Sequence, residues 1–367
     1  MLVGIDGSRA LRPLRTGTEV YSRDLIAALA SRDSGNKYRL YFDRKPPITL
    51  ADGAAVEIRI IELRRLWTHV RLGLELVQHP PDVLFVPAHV IPLVCPVPSV
   101  VTIHDVGYLW YRSAYRPTDW ILLHLGTLRN ARGARRIVVD SHATAADVAR
   151  YFNVSPRKIR VAYLGCPAAN PPEQFSARST LLDSPEPYFL FVGTLQPRKN
   201  LVRLLEAFAV VRKTWRRPVL LVMAGAGAMH AARLRQRSER LGIADAVRWP
   251  GYVADAERAS MYAGAVAFVF PSLHEGFGLP VLEAMACGTA VIASDAASLP
   301  EVVGSAGLLV DPYNVGGLAA AMLRVLEDGV LRSSLIELGR QQVKKFTWDR
   351  CAAAVERSFA EAYAGEG

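Results

Sequence analysis

A chain of 367 residues that is 51% hydrophobic has room for two domains and a sizeable core, which excludes a disordered or fibrous protein. No apolar run reaches the roughly 20 residues of a membrane-spanning helix. The net charge of +10 is lopsided: residues 1–180 hold 24 Lys and Arg against 15 Asp and Glu, and the remainder holds 20 against 19. A basic first half suits an acidic partner, whether anionic lipid, a phosphorylated acceptor or nucleic acid, and it equally suits an arginine-rich surface with no partner. Cys95, Cys166, Cys287 and Cys351 form no C-x-x-C pair and read as buried thiols of a reducing cytoplasm. The chain opens directly on a strand, so no signal peptide is expected.

Met1–Asp6 is the first predicted strand, and it runs into the loop Gly7–Thr18 with Arg9, Arg12, Arg15 and Gly17. Glu19–Ala30 has helical periodicity, so the loop falls at the carboxyl edge of a sheet, where ligands of α/β folds bind. Tyr38–Phe42 and Val56–Leu63 read as strands. Arg64–Val77 is a basic helix around Trp67, either packed on the core behind an arginine rim or lying on a membrane surface. Val83–Val86 and Ser99–Ile103 are strands, the second ending in His104 and Asp105. Tyr108–Trp120 is rich in aromatic residues and could line an acceptor groove or simply pack. Helix Ile121–Arg135, strand Ile137–Asp140, helix Thr144–Phe152 capped by Ser141, and strand Ile159–Leu164 complete the first half. The expected domains are 1–170 and 188–345, with a linker at 171–187 and a final helix from 346.

The second half restarts with strand Tyr188–Val192, followed by Gly193 to Asn200 and helix Leu201–Trp215. Arg198 and Lys199 thus stand just before a helix, at a strand's carboxyl edge. Strand Val219–Ala224 leads to Gly225 and Gly227, a G-x-G without the third glycine of a dinucleotide site, hence a tight turn. Strand Val247–Trp249 precedes the turn Gly251-Tyr252-Val253. Gly307–Val310 is a short strand, Val315–Leu326 a helix, and Phe346–Tyr363 closes the chain.

The stretch Phe270–Pro300, FPSLHEGFGLPVLEAMACGTAVIASDAASLP, organises the rest. A buried strand, Ala265–Phe270, enters a loop holding Glu275, Gly276, Phe277, Gly278 and Leu279. Pro280 suits the first position of a short helix, and Gly288 suits its end. Thr289–Ala293 is a second strand. Strand, glycine loop and helix aim backbone N–H groups and a positive helix end at whatever lies above, which suits phosphate. Glu275 and Glu283, eight positions apart, flank that place, with Glu283 expected in the first helical turn, and carboxylates accept hydrogen bonds from hydroxyl pairs.

E-G-F-G-L-P-x-L-E-A-M-A-C-G, with E-x7-E and the following S-D-x-x-x-L-P-E-V, resembles the donor-site signature of the retaining glycosyltransferases of family four, the glycosyl transferases group 1. The similarity in organisation covers nearly the whole chain. It implies an α/β, GT-B fold of two doubly wound Rossmann-like domains facing a deep cleft, the last helix crossing back to the first domain. It implies that Arg198, Lys199 and the Gly276–Leu279 amides bind the diphosphate of a nucleotide sugar, of GDP-mannose or UDP-glucose type. Glu275 would hold sugar hydroxyls, His104 a further one, and Glu283 the ribose. Gly17 would approach the donor phosphates or the acceptor, although R-T-G-T-E here replaces the family's double glycine. The turn at Val253 would meet the nucleobase.

The resemblance further implies retention at the anomeric carbon. No D-x-D occurs in the chain, so neither a metal nor a cofactor is expected. The acceptor would be a glycan, a lipid-linked sugar or a small polyol, reached from the cytoplasm or from the inner membrane face. Two rivals are an epimerase or hydrolase on the same fold and a basic nucleic-acid module. The motif argues against the first. No helix-turn-helix, zinc finger or aromatic RNA platform supports the second, so no nucleic-acid partner is expected.

Overall fold

A computed structural model describes residues 1–11, 17–46, 55–63, 66–88, 90–112, 115–166 and 185–365. It divides into two compact units, Met1–Gly165 with Phe346–Gly367, and Cys166–Lys345. Of the expected linker, 171–184 lie outside the described residues, as do Arg12, Arg15 and the start of the helix expected at Arg64.

In the first unit β1 (Leu2–Asp6), α1 (Gly17–Ala30), β2 (Lys37–Phe42) and β3 (Val56–Ile60) precede a widened helical turn, Trp67–Leu72, that runs into α2 (Gly73–Gln78). β4 (Val83–Val86), β5 (Ser99–Ile103), α3 (Pro117–Gly133), β6 (Arg136–Val139), α4 (His142–Phe152) and β7 (Ile159–Val161) follow. The seven strands are parallel in the order β3-β2-β1-β4-β5-β6-β7. Their central members read as unbroken apolar runs because helices cover both faces. α3 starts four residues before the expected Ile121, since Pro117 sits in its first turn where a missing N–H costs nothing. Ser141 does cap α4, accepting from the Thr144 N–H at 3.0 Å.

The second unit holds β8 (Tyr188–Val192), α5 (Leu201–Trp215), β9 (Leu220–Ala224), α6 (Ala228–Arg240), β10 (Val247–Gly251), α7 (Asp255–Gly264) and β11 (Ala267–Phe270). α8 (Leu279–Ala286), β12 (Val291–Ser294), α9 (Leu299–Val303), β13 (Gly307–Val310), α10 (Val315–Glu327) and α11 (Gly329–Val343) complete it. Six parallel strands run β10-β9-β8-β11-β12-β13. α6, α7, α9 and α11 have no counterpart among the expected elements. α6, AMHAARLRQRSER, offers Leu234 as its one large aliphatic side chain on the core, too little for an apolar stripe to be read.

The chain then returns: α12 (Trp348–Tyr363), capped by Thr347, packs into the first unit. Phe359 meets Phe85 at 5.2 Å between ring centres, and Glu356 accepts from Arg32 and Tyr38, each at 2.9 Å. Gly165 lets the backbone of Trp348 come close, for a Cβ there would lie 2.4 Å from the Trp348 nitrogen.

Candidate active site

Strand order reverses between β8 and β11, which neighbour each other while their connections run to opposite sides of the sheet. Ligands of open α/β sheets bind outside the carboxyl ends at such a reversal. Two segments leave there: Gly193–Asn200 after β8 and Pro271–Gly278 after β11. The pairing of Phe189 with Ala267 and of Leu190 with Phe268 sets their register.

These segments bring Arg198, Lys199 and Glu275 together. Glu275 is buried, and each carboxylate oxygen faces one cation: Oε1 accepts from Lys199 Nζ at 2.6 Å and Oε2 from Arg198 Nη1 at 2.8 Å. Burial would push the Glu275 carboxyl up. Lys199 and then Arg198 outweigh it and hold it at about 2. Lys199 is itself buried, with its ammonium 4.5 Å from the centre of the Phe270 ring. Arg198 also donates to the His274 carbonyl at 3.1 Å. Glu275 thus holds two cations side by side at the strand reversal, in a setting that water screens weakly.

Two residues absent from the expected set hold this cluster in place. Asn200 adopts a left-handed conformation (φ 61°), which Asn tolerates better than most residues. Its amide donates to the carbonyls of Pro271 (3.1 Å) and Pro312 (2.6 Å), tying the two segments. Ser298, fully buried, lies 2.9 Å from the Glu275 carbonyl and 2.8 Å from that of Phe277, its one proton serving either. Asn after the cation pair and Ser in S-D-x-x-x-L-P were visible letters, but their partners lie 71 and 23 positions away.

Gly276 and Phe277 lead to Gly278, whose φ of 111° excludes most side chains; a Cβ there would also lie 2.8 Å from Leu299. α8 begins at Leu279, so Pro280 is its second residue and Glu283 falls in the second turn, not the first. The α8 axis still directs its positive end beyond the loop. Glu283 is not joined to the cation cluster. It accepts from the Tyr262 hydroxyl at 3.1 Å and pairs with Arg258 at 3.4 Å. Burial pushes its carboxyl up against the pull of Arg258. Val253 is buried just after β10, beside exposed Tyr252.

Gly225 shows why the Gly225-Ala226-Gly227 turn needs glycine: a Cβ there would lie 1.8 Å from the Gly193 carbonyl oxygen. The carboxyl ends of β8 and β9 therefore approach backbone to backbone, beneath the segment that carries Arg198.

Gly17 and His104 belong to the first unit. Gly17 opens α1, exposed, with nothing within 4 Å of where a Cβ would stand. His104 follows β5 directly, with Nδ1 2.7 Å from Asp140 and Nε2 3.0 Å from the Pro87 carbonyl oxygen. A carbonyl only accepts, so a hydrogen bond there needs a proton on Nε2, and a carboxylate is best met by a proton on Nδ1. Burial would lower the His104 value, but Asp140 outweighs it and raises it, favouring the imidazolium. Tyr21 packs edge-on against the ring at 4.6 Å.

Among the described residues no helix is long and apolar enough to cross a membrane. Residues 15–170 match the family model described as Glycosyltransferase Family 4, and residues 173–342 match that described as Glycosyl transferases group 1. The chain is 33% identical over 258 residues to O-antigen chain mannosyltransferase B of Escherichia coli, covering 69% of this chain and 68% of that protein. Sucrose-phosphate synthase from Thermosynechococcus elongatus superposes with a TM-score of 0.75 at 22% identity, covering 99% of each chain. HepE of Anabaena, in complex with UDP and glucose, gives 0.72 at 18%, covering 98% of this chain and 99% of that one. Sheet order, cation cluster and sequence relationship agree: the chain belongs to the glycosyl transferases of group 1 and family 4, and is a glycosyltransferase of the GT-B fold.

Proposed function

We propose that this glycosyltransferase moves a hexose of mannose or glucose type from a nucleotide diphosphate to an acceptor hydroxyl, with retention and without a metal ion. The single observation that carries the reading is the Arg198–Glu275–Lys199 cluster at the strand reversal, beside the amino end of α8. In the step, the bond from the anomeric carbon to the β-phosphate oxygen breaks and the bond to the acceptor oxygen forms on the same face. The acceptor proton passes to the departing phosphate. Arg198, Lys199 and the α8 amino end stabilise the charge that gathers there. Glu275, kept ionised, fixes both cations and retains lone pairs for a sugar hydroxyl. Glu283 would take the ribose hydroxyls, and the turn at Val253 the base. In the first unit, His104 would donate to a sugar hydroxyl by giving up Pro87, and Gly17 would let a ligand approach α1.

The mannosyltransferase relative supports mannose, and the neighbour crystallised with UDP and glucose supports a nucleotide donor. A glycan, a lipid-linked sugar or a small polyol would serve as acceptor. A lipid-linked acceptor would also bring the protein to an anionic membrane surface.

Thermal unfolding in the presence of GDP-mannose, UDP-glucose and related donors, with and without chelator, tests the reading. A donor at about a hundred times its Kd should add roughly 2.7 kcal/mol. Transfer that persists in chelator is expected. No stabilisation by any nucleotide sugar, or turnover that vanishes with chelator, would overturn it.

A further inference from the structure

We propose that Tyr262 and Arg258 of α7 are positioning residues for the donor: they fix the Glu283 carboxylate in the direction and charge state that two ribose hydroxyls require. The inference rests on the reading that Glu283 takes the ribose, and adds what holds Glu283 ready. Glu283 is the fifth residue of α8. A glutamate side chain turns about several bonds, and freezing them on a ligand costs free energy.

The structure settles those bonds in advance. The Tyr262 hydroxyl donates to Glu283 Oε2 at 3.1 Å, while Arg258 approaches both oxygens, Nε 3.4 Å from Oε2 and Nη2 3.5 Å from Oε1. Tyr262 is itself fixed. It is buried, its ring meets that of Phe268 at 5.3 Å, and its carbonyl accepts from the Thr289 hydroxyl at 2.6 Å. Thr289 lies just past the end of α8, so one residue of α7 ties to α8 at Glu283 and again beyond its last turn. Arg258 is braced by Asp255, which accepts from its Nη1 at 2.9 Å.

The two residues have different tasks. Burial keeps the Tyr262 phenol protonated well beyond its usual range, so it always donates. Burial also pushes the Glu283 carboxyl toward its neutral form, and Arg258 opposes this. A neutral carboxyl would turn one acceptor oxygen into a donor, whereas an ionised one keeps about four lone pairs. Tyr262 uses one of them. The guanidinium, at the long end of hydrogen-bond distance, acts more by charge than by occupying the rest. Packing alone would account for a buried ring at position 262; it does not account for a hydroxyl directed at a carboxylate.

Calorimetric titration with GDP, UDP and the 2′,3′-dideoxy form of each tests this, read as the ratio of the two affinities. In the wild type, loss of both hydroxyls should weaken binding about tenfold or more. Tyr262→Phe and Arg258→Met should each weaken the ribose form and leave the dideoxy form unchanged, so the ratio falls toward one. Arg258→Lys should restore part of it. In turnover, the first two variants should raise KM for the nucleotide sugar about tenfold while kcat changes little. Tyr188→Phe removes a buried hydroxyl from the Met261 carbonyl, next to Tyr262, and should lower stability yet keep the ratio. A ratio as large in either α7 variant as in the wild type overturns the inference. So does a Tyr188→Phe ratio that falls as far, since packing of α7 would then be the cause. If the wild type binds both forms equally, or Glu283→Ala leaves the ratio intact, the ribose reading fails and this inference with it. A ratio lost in Glu283→Ala but kept in the α7 variants sinks this inference alone.

Discussion

Replacing Glu275 by Gln isolates what the buried cluster does. The substitution keeps shape and removes the one negative charge between Arg198 and Lys199. The carboxyl stands at about 2 instead of an ordinary 4.5, a preference for the ionised form of roughly 3 kcal/mol. A depressed value means that this contribution is complete above pH 4.5 and is lost as pH falls through about 2. At pH 7 the variant should therefore unfold with about 3 kcal/mol less stability, comparable to breaking other buried ion pairs. For a unit of this size that lowers the midpoint by roughly 6–12 °C.

Scanning calorimetry of both proteins between pH 8 and pH 3 reads it directly. The gap should stay constant down to about pH 4.5 and narrow below. Anions should favour the variant more than the wild type, because Glu275 no longer offsets the two cations beside it. Nucleoside diphosphate would bind tighter while turnover falls about a hundredfold. Equal midpoints at pH 7, or a gap that widens on acidification, would refute the reasoning.

Gly225→Ala places a methyl 1.8 Å from the Gly193 carbonyl oxygen, at a φ of 154°. It should fail to yield folded protein or lose several kcal/mol, as seen by soluble expression and denaturant titration. Ser298→Ala strips the donor from the buried Glu275 and Phe277 carbonyls, costing about 1–3 kcal/mol, with turnover falling more than donor affinity. Asp6, buried with Oδ2 unpartnered among the described residues, is raised to about 6 by burial. A raised carboxyl destabilises the fold by roughly 3 kcal/mol above that pH and not below 3.8. Asp6→Asn should therefore stabilise at pH 8 and have little effect at pH 4; an equal effect at both would sink the assignment.

Much of the fold was legible because local rules and the tertiary arrangement agree. Short apolar runs such as Phe189–Val192 and Phe268–Phe270 read as buried strands, and both are strands of the second sheet. Pro280 and Ser141 mark helix starts, the one by lacking a backbone N–H and the other by satisfying one. α6 stayed hidden because it buries little apolar surface. The sequence left Trp67 either packed on the core or lying on a membrane surface; the structure buries it, where it donates to the Ile61 carbonyl.

The sequence by itself determined that cations stand after one strand, and a glutamate and a glycine after another, each before a helix. It could not determine that Arg198 and Lys199 close on Glu275, some 76 positions on, because that follows from β8 and β11 lying side by side. Nor could it give Glu283 to Tyr262 and Arg258 and leave it apart from that cluster. Letters state what a side chain can donate or accept. Which partner it meets is settled by strand order and register, where burial of the whole sheet outweighs any single local preference.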